Sequence, residues 1–70
     1  MTGAEIARAL QYAGFEARLA DPEHVSLFRD GVEVARLHLR ATIRAATLRA
    51  LLRSFGITGE KLAEYLARPA

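Results

Sequence analysis

The dipeptide Asp30-Gly31 separates two strand-like runs, residues 24–29 and 32–39, in which most apolar residues are followed by polar ones. Alternation with a period of two is typical of a strand with one buried face. Asp-Gly between two such runs favours a type I′ turn, because both central residues of that turn have positive φ angles. These residues predict an antiparallel β-hairpin, and the rest of the chain must supply the elements that cover one of its faces.

A third strand and a helix precede the hairpin. Residues 15–20 also alternate, and the Asp-Pro-Glu segment at 21–23 ends the run because proline has no N–H donor. Thr2 and Glu5 form a capping-box pattern ahead of apolar residues at helical spacing, and Gly14 follows where that helix should stop. The pattern predicts a helix followed by three antiparallel strands that neighbour one another in chain order.

The strongest helical pattern covers residues 42–56. Thr42 is a suitable N-cap, and Gly56 suits the left-handed conformation that ends many helices. A shorter helix follows over residues 57–69. We therefore predict a single α+β domain over residues 1–70, of order α-β-β-β-α with a short C-terminal helix, with the helices packed on one sheet face. The predicted core contains Leu10, Phe15, Leu37, Leu48, Leu51, Leu52 and Phe55.

The composition limits the chemistry that the chain can perform. There is no cysteine, and the two histidines lack the spacing of a metal-binding pair, so we expect no structural metal and no cofactor. No apolar run has the length of a signal peptide or a membrane span, which predicts a soluble, cytoplasmic protein that does not bind a membrane.

The net charge of +2 is unevenly distributed. Residues 34–59 contain five arginines and no Asp or Glu, whereas the rest of the chain has five basic and eight acidic residues. Any single arginine could simply solvate an exposed face, but five without an intervening acid favour a basic surface that binds a polyanion. The predicted surface consists of Arg36, Arg40, Arg44, Arg49 and Arg53, with His38 near its middle.

Several segments of the chain resemble the HicA (YcfA-like) toxin family. They are Thr2-Gly3-x-Glu5, Gly14-Phe15-Glu16, a histidine ahead of the Asp30-Gly31 hairpin, and residues 47–58, which begin Thr-Leu-Arg and end Gly-Ile-Thr. The resemblance covers nearly the whole chain. It implies a fold like that of double-stranded-RNA-binding domains and metal-independent ribonuclease activity on mRNA. It also implies neutralisation by a HicB-like antitoxin, in whose complex the protein could oligomerise.

The resemblance also implies a catalytic histidine where the second strand begins. The family has Gly-Ser-His there, and this chain has Pro-Glu-His at residues 22–24. A gapless alignment back from Phe28 places the catalytic position on Val25, and a shift of one residue places it on His24. In the second placement, His24 takes the proton of the ribose 2′-OH that attacks the adjacent phosphorus, and His38 protonates the leaving 5′ oxygen.

Two other functions fit the same residues. One is a non-catalytic RNA-binding or protein-interaction module that kept the fold and lost the catalytic histidine. The other is a small structural subunit whose arginines meet an acidic protein. Phe15, Phe28 and Phe55 all occupy positions typical of a core, which argues mildly against binding single strands by base stacking.

Overall fold

Residues 1–69 are described by the computed structural model, and their six elements follow the predicted order. The three strands form one antiparallel sheet in the order β1-β2-β3, so the predicted meander is confirmed. The elements are α1 (Gly3–Gln11), β1 (Glu16–Asp21), β2 (His24–Arg29), β3 (Val32–His38), α2 (Ala45–Phe55) and α3 (Gly59–Ala67).

The predicted turn and cap residues have the expected conformations. Asp30 and Gly31 have φ angles of 53° and 79°, which are both positive as a type I′ turn requires. Thr2 and Glu5 bond reciprocally at the start of α1, where the Glu5 N–H donates to Thr2 Oγ1 over 3.3 Å. Gly56 closes α2 with a φ of 72°.

The start of α2 differs from the prediction. The helix begins at Ala45, and its N-cap is Arg44, which makes no side-chain capping bond. Thr42 instead pairs with Thr2 in an isolated antiparallel bridge, and the Ile43 N–H donates to the Met1 carbonyl over 2.7 Å. The prediction of Thr42 as the N-cap is therefore wrong, because pairing with the N-terminal segment holds this backbone extended.

The helices pack on one face of the sheet. Helix α1 contacts all three strands and is itself packed by α3. Helix α2 joins the same core through Leu52 and Phe55, and the Phe55 ring centroid lies 4.6 Å from that of Phe15. In residues 1–69 no helix covers the opposite face, which we call the open face. The buried core consists of Ile6, Ala7, Ala9, Leu10, Phe15, Val25, Leu27, Leu52 and Leu62.

The predicted core is correct in most positions. Leu10, Phe15 and Leu52 are buried. Leu37, Leu48 and Phe55 are half-buried against the core, whereas Leu51 is half-buried outside it.

Phe28 does not occupy the core position that its sequence context suggests. It follows the fully buried Leu27 in β2, so alternation puts its side chain on the open face. There the guanidinium of Arg18 lies 4.9 Å from the centroid of the Phe28 ring. The open face therefore carries one half-buried aromatic side chain.

A bulge in β3 sets which residues meet on the open face. Leu27 pairs with Ala35, but the next residue, Phe28, pairs with Glu33, so Val34 is an extra residue on β3. This shift brings Glu33 within reach of Ser26, whose hydroxyl donates to Glu33 Oε1 over 2.6 Å.

Candidate active site

His24 and His38 lie opposite each other on neighbouring strands of the open face. They are register partners at the first position of β2 and the last of β3. Their ring centroids are 5.1 Å apart, and the ring planes meet at 74°. The side chain of His24 is 36% exposed, and His38 is an exposed residue. We call these two residues the histidine pair.

The backbone around the histidine pair is held from two sides. The Leu39 N–H donates to the Glu23 carbonyl over 2.8 Å, which joins the end of β3 to the turn before β2. The Ala4 N–H donates to the Leu39 carbonyl over 3.1 Å, which ties the same segment to the first turn of α1. These bonds fix the separation of the two histidine Cα atoms.

Asp21 contacts the imidazole of His24. Its Oδ1 and Oδ2 atoms lie 2.9 and 3.1 Å from His24 Nδ1, and Oδ1 also accepts the Glu23 N–H over 2.8 Å. The bond from His24, followed by the one from the Glu23 amide, lowers the pKa of the Asp21 carboxyl. Asp21 is therefore an ionised hydrogen-bond acceptor at neutral pH.

His38 accepts two main-chain hydrogen bonds. The N–H groups of Arg40 and Ala41 both point at His38 Nδ1, each over 3.2 Å. The chain turns sharply after β3 to make these bonds, and Arg40 therefore lies beyond the strand rather than on the face that its alternation with Arg36 and His38 predicted.

Val25, the alternative to His24 for the catalytic position in the sequence analysis, is buried. Its exposed fraction is 5%, and it belongs to the core under α1. A valine has no titratable group, and this one faces away from the open face. His24 is therefore the residue of the two that could meet a substrate.

Arg36 lies on the open face, two residues before His38, and it is paired. Its Nη2 atom lies 3.2 Å from Glu33 Oε1, the oxygen that also accepts the Ser26 hydroxyl. The hydrogen bond from Ser26, followed by that from Arg36, lowers the pKa of Glu33. The charge of Arg36 is therefore partly neutralised at the position where the sequence predicts a free cation.

The other predicted arginines lie on two further parts of the molecule. Arg40 and Arg44 are exposed in the segment between β3 and α2, and Arg49 and Arg53 are exposed on α2. Within residues 1–69 none of these four forms an ion pair. A single basic surface centred on His38 stays a prediction.

Arg49 and Arg53 border an open groove between α2 and the start of α3. The groove has a volume of about 400 Å³, and its apolar lining comes from Leu52 and Ile57, with Gly59 at its edge. The groove belongs to the helical side of the molecule, whereas the histidine pair belongs to the open face.

Asp21 is the site residue that the sequence analysis missed, although a signal for it exists. An aspartate before proline commonly folds back on the amide two residues later, and here this turn presents the carboxylate to the residue after it, His24. The amides of Arg40 and Ala41 left no such signal, since every residue except proline carries an N–H group.

Comparisons of the chain with models of known protein families, with curated proteins and with solved structures gave no match. Within residues 1–69 there is no cluster of three or more His, Cys, Asp or Glu side chains that could hold a metal ion. Nor does that part of the chain contain a helix of the length and apolar character needed to cross a membrane.

Proposed function

We propose that this protein is a HicA-like toxin, a metal-independent endoribonuclease that cleaves mRNA in the cytoplasm and is neutralised by a HicB-like antitoxin. The observation that carries the proposal is the histidine pair on the open face, with ring centroids 5.1 Å apart. The sequence resemblance places the catalytic histidine at the start of the second strand, which is where His24 lies.

The proposed reaction is transfer of a phosphodiester to the neighbouring ribose hydroxyl. His24 takes the proton of the 2′-OH as its oxygen bonds to phosphorus, and the bond from phosphorus to the 5′ oxygen breaks. The products are a 2′,3′-cyclic phosphate and a 5′-hydroxyl. An imidazole suits this step because its ordinary pKa lies near neutral pH.

The unpaired arginines support a polyanionic ligand. Arg40 lies two residues after His38, and Arg49 and Arg53 lie further along residues 34–59, which contain no Asp or Glu. Guanidinium groups bind phosphate oxygens and can stabilise the charge that develops on phosphorus during transfer. Binding to phosphates does not depend on base sequence, so cleavage preference must come from other contacts.

Cleavage of RNA by purified protein tests this proposal. The wild type should cut a long RNA in the presence of a chelator, and its expression without an antitoxin should arrest growth. His24→Ala should fold, bind RNA and an antitoxin, and lose both effects, because the side chain is half-exposed and its removal opens no core cavity. A wild type that neither cuts RNA nor slows growth contradicts the proposal.

The second candidate function is RNA binding without catalysis. The four unpaired arginines favour it as much as they favour the ribonuclease. On that account the protein is an RNA-binding module, and the histidine pair contributes only hydrogen bonds. The wild type then retains salt-dependent RNA binding while the RNA stays intact. The same cleavage assay, with binding measured in parallel, separates the two functions.

A further inference from the structure

The hydrogen bonds at the two Nδ1 atoms give the histidines of the pair different proton positions. A carboxylate can only accept, so the contact between Asp21 and His24 requires a proton on His24 Nδ1. In the neutral ring, His24 Nε2 then carries a lone pair. Within residues 1–69 no hydrogen bond occupies that atom, which leaves it available to take a proton.

His38 has the opposite arrangement. Its Nδ1 atom accepts N–H groups from both Arg40 and Ala41, so that atom holds a lone pair and no proton. The single proton of the neutral ring must then lie on Nε2. Adding a second proton at Nδ1 breaks both bonds and leaves two main-chain N–H groups facing a cation. In this conformation His38 is therefore a neutral ring that presents an N–H donor.

We propose that His38 acts as a neutral hydrogen-bond donor to the phosphate and that Asp21 positions His24 as the base. This inference rests on the proposed function and revises the role that the sequence suggested for His38, which was to protonate the leaving oxygen. A neutral imidazole is a very weak acid, but a fixed N–H group directed at a non-bridging oxygen stabilises the charge that accumulates there. The same use of a neutral histidine held by main-chain amides is known in other enzymes.

The proton balance of the step follows from these roles. The 2′ proton moves to His24 Nε2, and the resulting imidazolium is stabilised by the ionised Asp21 at its Nδ1–H. The 2′ oxygen bonds to phosphorus, the 5′ oxygen leaves and takes a proton from water, and His24 later returns its proton to solvent. His38 keeps its Nε2 proton throughout and donates a hydrogen bond without transferring it.

The proton positions can be measured on the free protein. Long-range ¹H–¹⁵N correlation spectra at neutral pH should show the Nδ1-protonated tautomer for neutral His24 and the Nε2-protonated tautomer for His38. Asp21→Asn should shift His24 towards the other tautomer, because the neutral amide oxygen at Oδ1 is a weaker acceptor for the Nδ1 proton and an NH₂ donor replaces Oδ2, 3.1 Å from Nδ1. Asp30→Asn, at the hairpin tip, is the matched control and should change neither ring. A wild type in which neutral His24 is protonated at Nε2, or neutral His38 at Nδ1, overturns the inference whether or not the protein cleaves RNA.

Substitution of His38 distinguishes a donor from an acid. Glutamine can place an amide N–H near the position of Nε2 but cannot supply a proton, so His38→Gln should retain at least about ten times the kcat/KM of His38→Ala. An RNA with a 5′-bridging sulfur needs no acid, because a thiolate leaves without protonation. His38→Ala should be as impaired on that substrate as on ordinary RNA.

The inference is overturned if His38→Ala recovers its activity on the sulfur-bridged substrate and His38→Gln is as inactive as His38→Ala on ordinary RNA. That result identifies His38 as the acid.

Asp21→Asn should lower kcat/KM by at least about tenfold through kcat rather than KM, because the base is in the wrong tautomer. An unchanged kcat shows that Asp21 does not position the base. A wild type with the expected tautomers but no cleavage of RNA contradicts the proposed function instead.

Discussion

Gly3 brings the first turn of α1 against the backbone of His38. A Cβ atom at residue 3 would lie 2.1 Å from the His38 carbonyl oxygen and 2.8 Å from its carbonyl carbon. Neither backbone atom can move aside without moving the end of β3. The absence of a side chain at Gly3 is therefore a condition for the placement of the histidine pair.

Gly3→Ala should destabilise the fold by about 2 kcal/mol or more, because the new methyl group overlaps main-chain atoms. Urea unfolding measures this cost. Gly59→Ala is the matched control, since Gly59 also lies in the first turn of a helix but has open space around it. The control should be neutral or slightly stabilising. Equal effects of the two substitutions would show that the close approach to His38 does not exist in solution.

Carboxylates on the surface make folding stability depend on pH. Ser26 and then Arg36 lower the pKa of Glu33, and hydrogen bonds from Thr2 lower that of Glu5. A carboxyl whose pKa is lower in the folded state stabilises the fold above its unfolded pKa. That contribution is lost as the pH falls through the folded pKa. The melting temperature should therefore fall as the pH is lowered below about 4. Glu33→Gln should reduce this dependence, and an unchanged acid profile in that variant contradicts the assignment.

At the level of secondary-structure elements, α2 is attached through few side chains. Leu52 is 6% exposed and is the buried residue of the helix, while Leu48 and Phe55 lie half-buried beside it. The N-terminal end of α2 has no side-chain cap. The position of the helix, and with it that of Arg49 and Arg53, therefore depends largely on the burial of one leucine.

Leu52→Ala should cost roughly 2–5 kcal/mol, the range for leucine truncation in a core. This is a large part of the stability of a small domain. Leu51→Ala removes the same atoms from the neighbouring position, which lies outside the core, and should cost much less. Chemical denaturation of both variants makes the comparison. If Leu51→Ala is the more damaging of the two, α2 packs through a different face.

The secondary structure could be predicted from the sequence because its signals are local. The Asp30-Gly31 turn, the Thr2 capping box and Gly56 each fix the backbone within a few residues. The start of α2 could not be predicted this way, since Thr42 is bound by Thr2, forty residues away. Pairing between distant segments outweighed a good local N-cap.

The candidate site was only partly predictable for the same reason. His24 could be selected by resemblance, but its contact with His38 depends on the register of two strands. The pairing of Arg36 with Glu33 depends on a bulge, which no residue type marks. Leu27 and Phe28 are adjacent apolar residues whose side chains point to opposite faces, and the sequence did not show which of the two faces is covered.

At the scale of the whole molecule, the histidine pair and the exposed arginines of α2 lie on different parts of the surface. The histidine pair is on the open face, and Arg49 and Arg53 border the groove beside Ile57 and Gly59. On the proposed function, an RNA that contacts both places would have to extend from the open face to the helical side, and Arg40 and Arg44 lie in the segment that joins β3 to α2.

Charge reversal at Arg49 and Arg53 should weaken RNA binding to a similar extent for every sequence tested. It should also reduce the slope of log K against log salt by about 2, one for each lost phosphate contact. Lys61→Glu with Arg68→Glu makes the same change in net charge on α3 and at its C-cap residue, and is the control. Salt titrations of binding provide the comparison. If the control weakens binding as much, then net charge rather than the groove governs affinity.

The ends of the cleaved RNA give the most direct test of the central claim that the histidine pair cleaves RNA through the ribose 2′-OH. Purified protein is incubated with a chelator and either RNA or the same sequence fully 2′-O-methylated, and the product termini are identified by mass spectrometry. The account predicts 2′,3′-cyclic phosphate and 5′-hydroxyl ends from the RNA and no cleavage of the methylated strand. Products with 5′-phosphate and 3′-hydroxyl ends, cleavage of the methylated strand, or an intact RNA would contradict it.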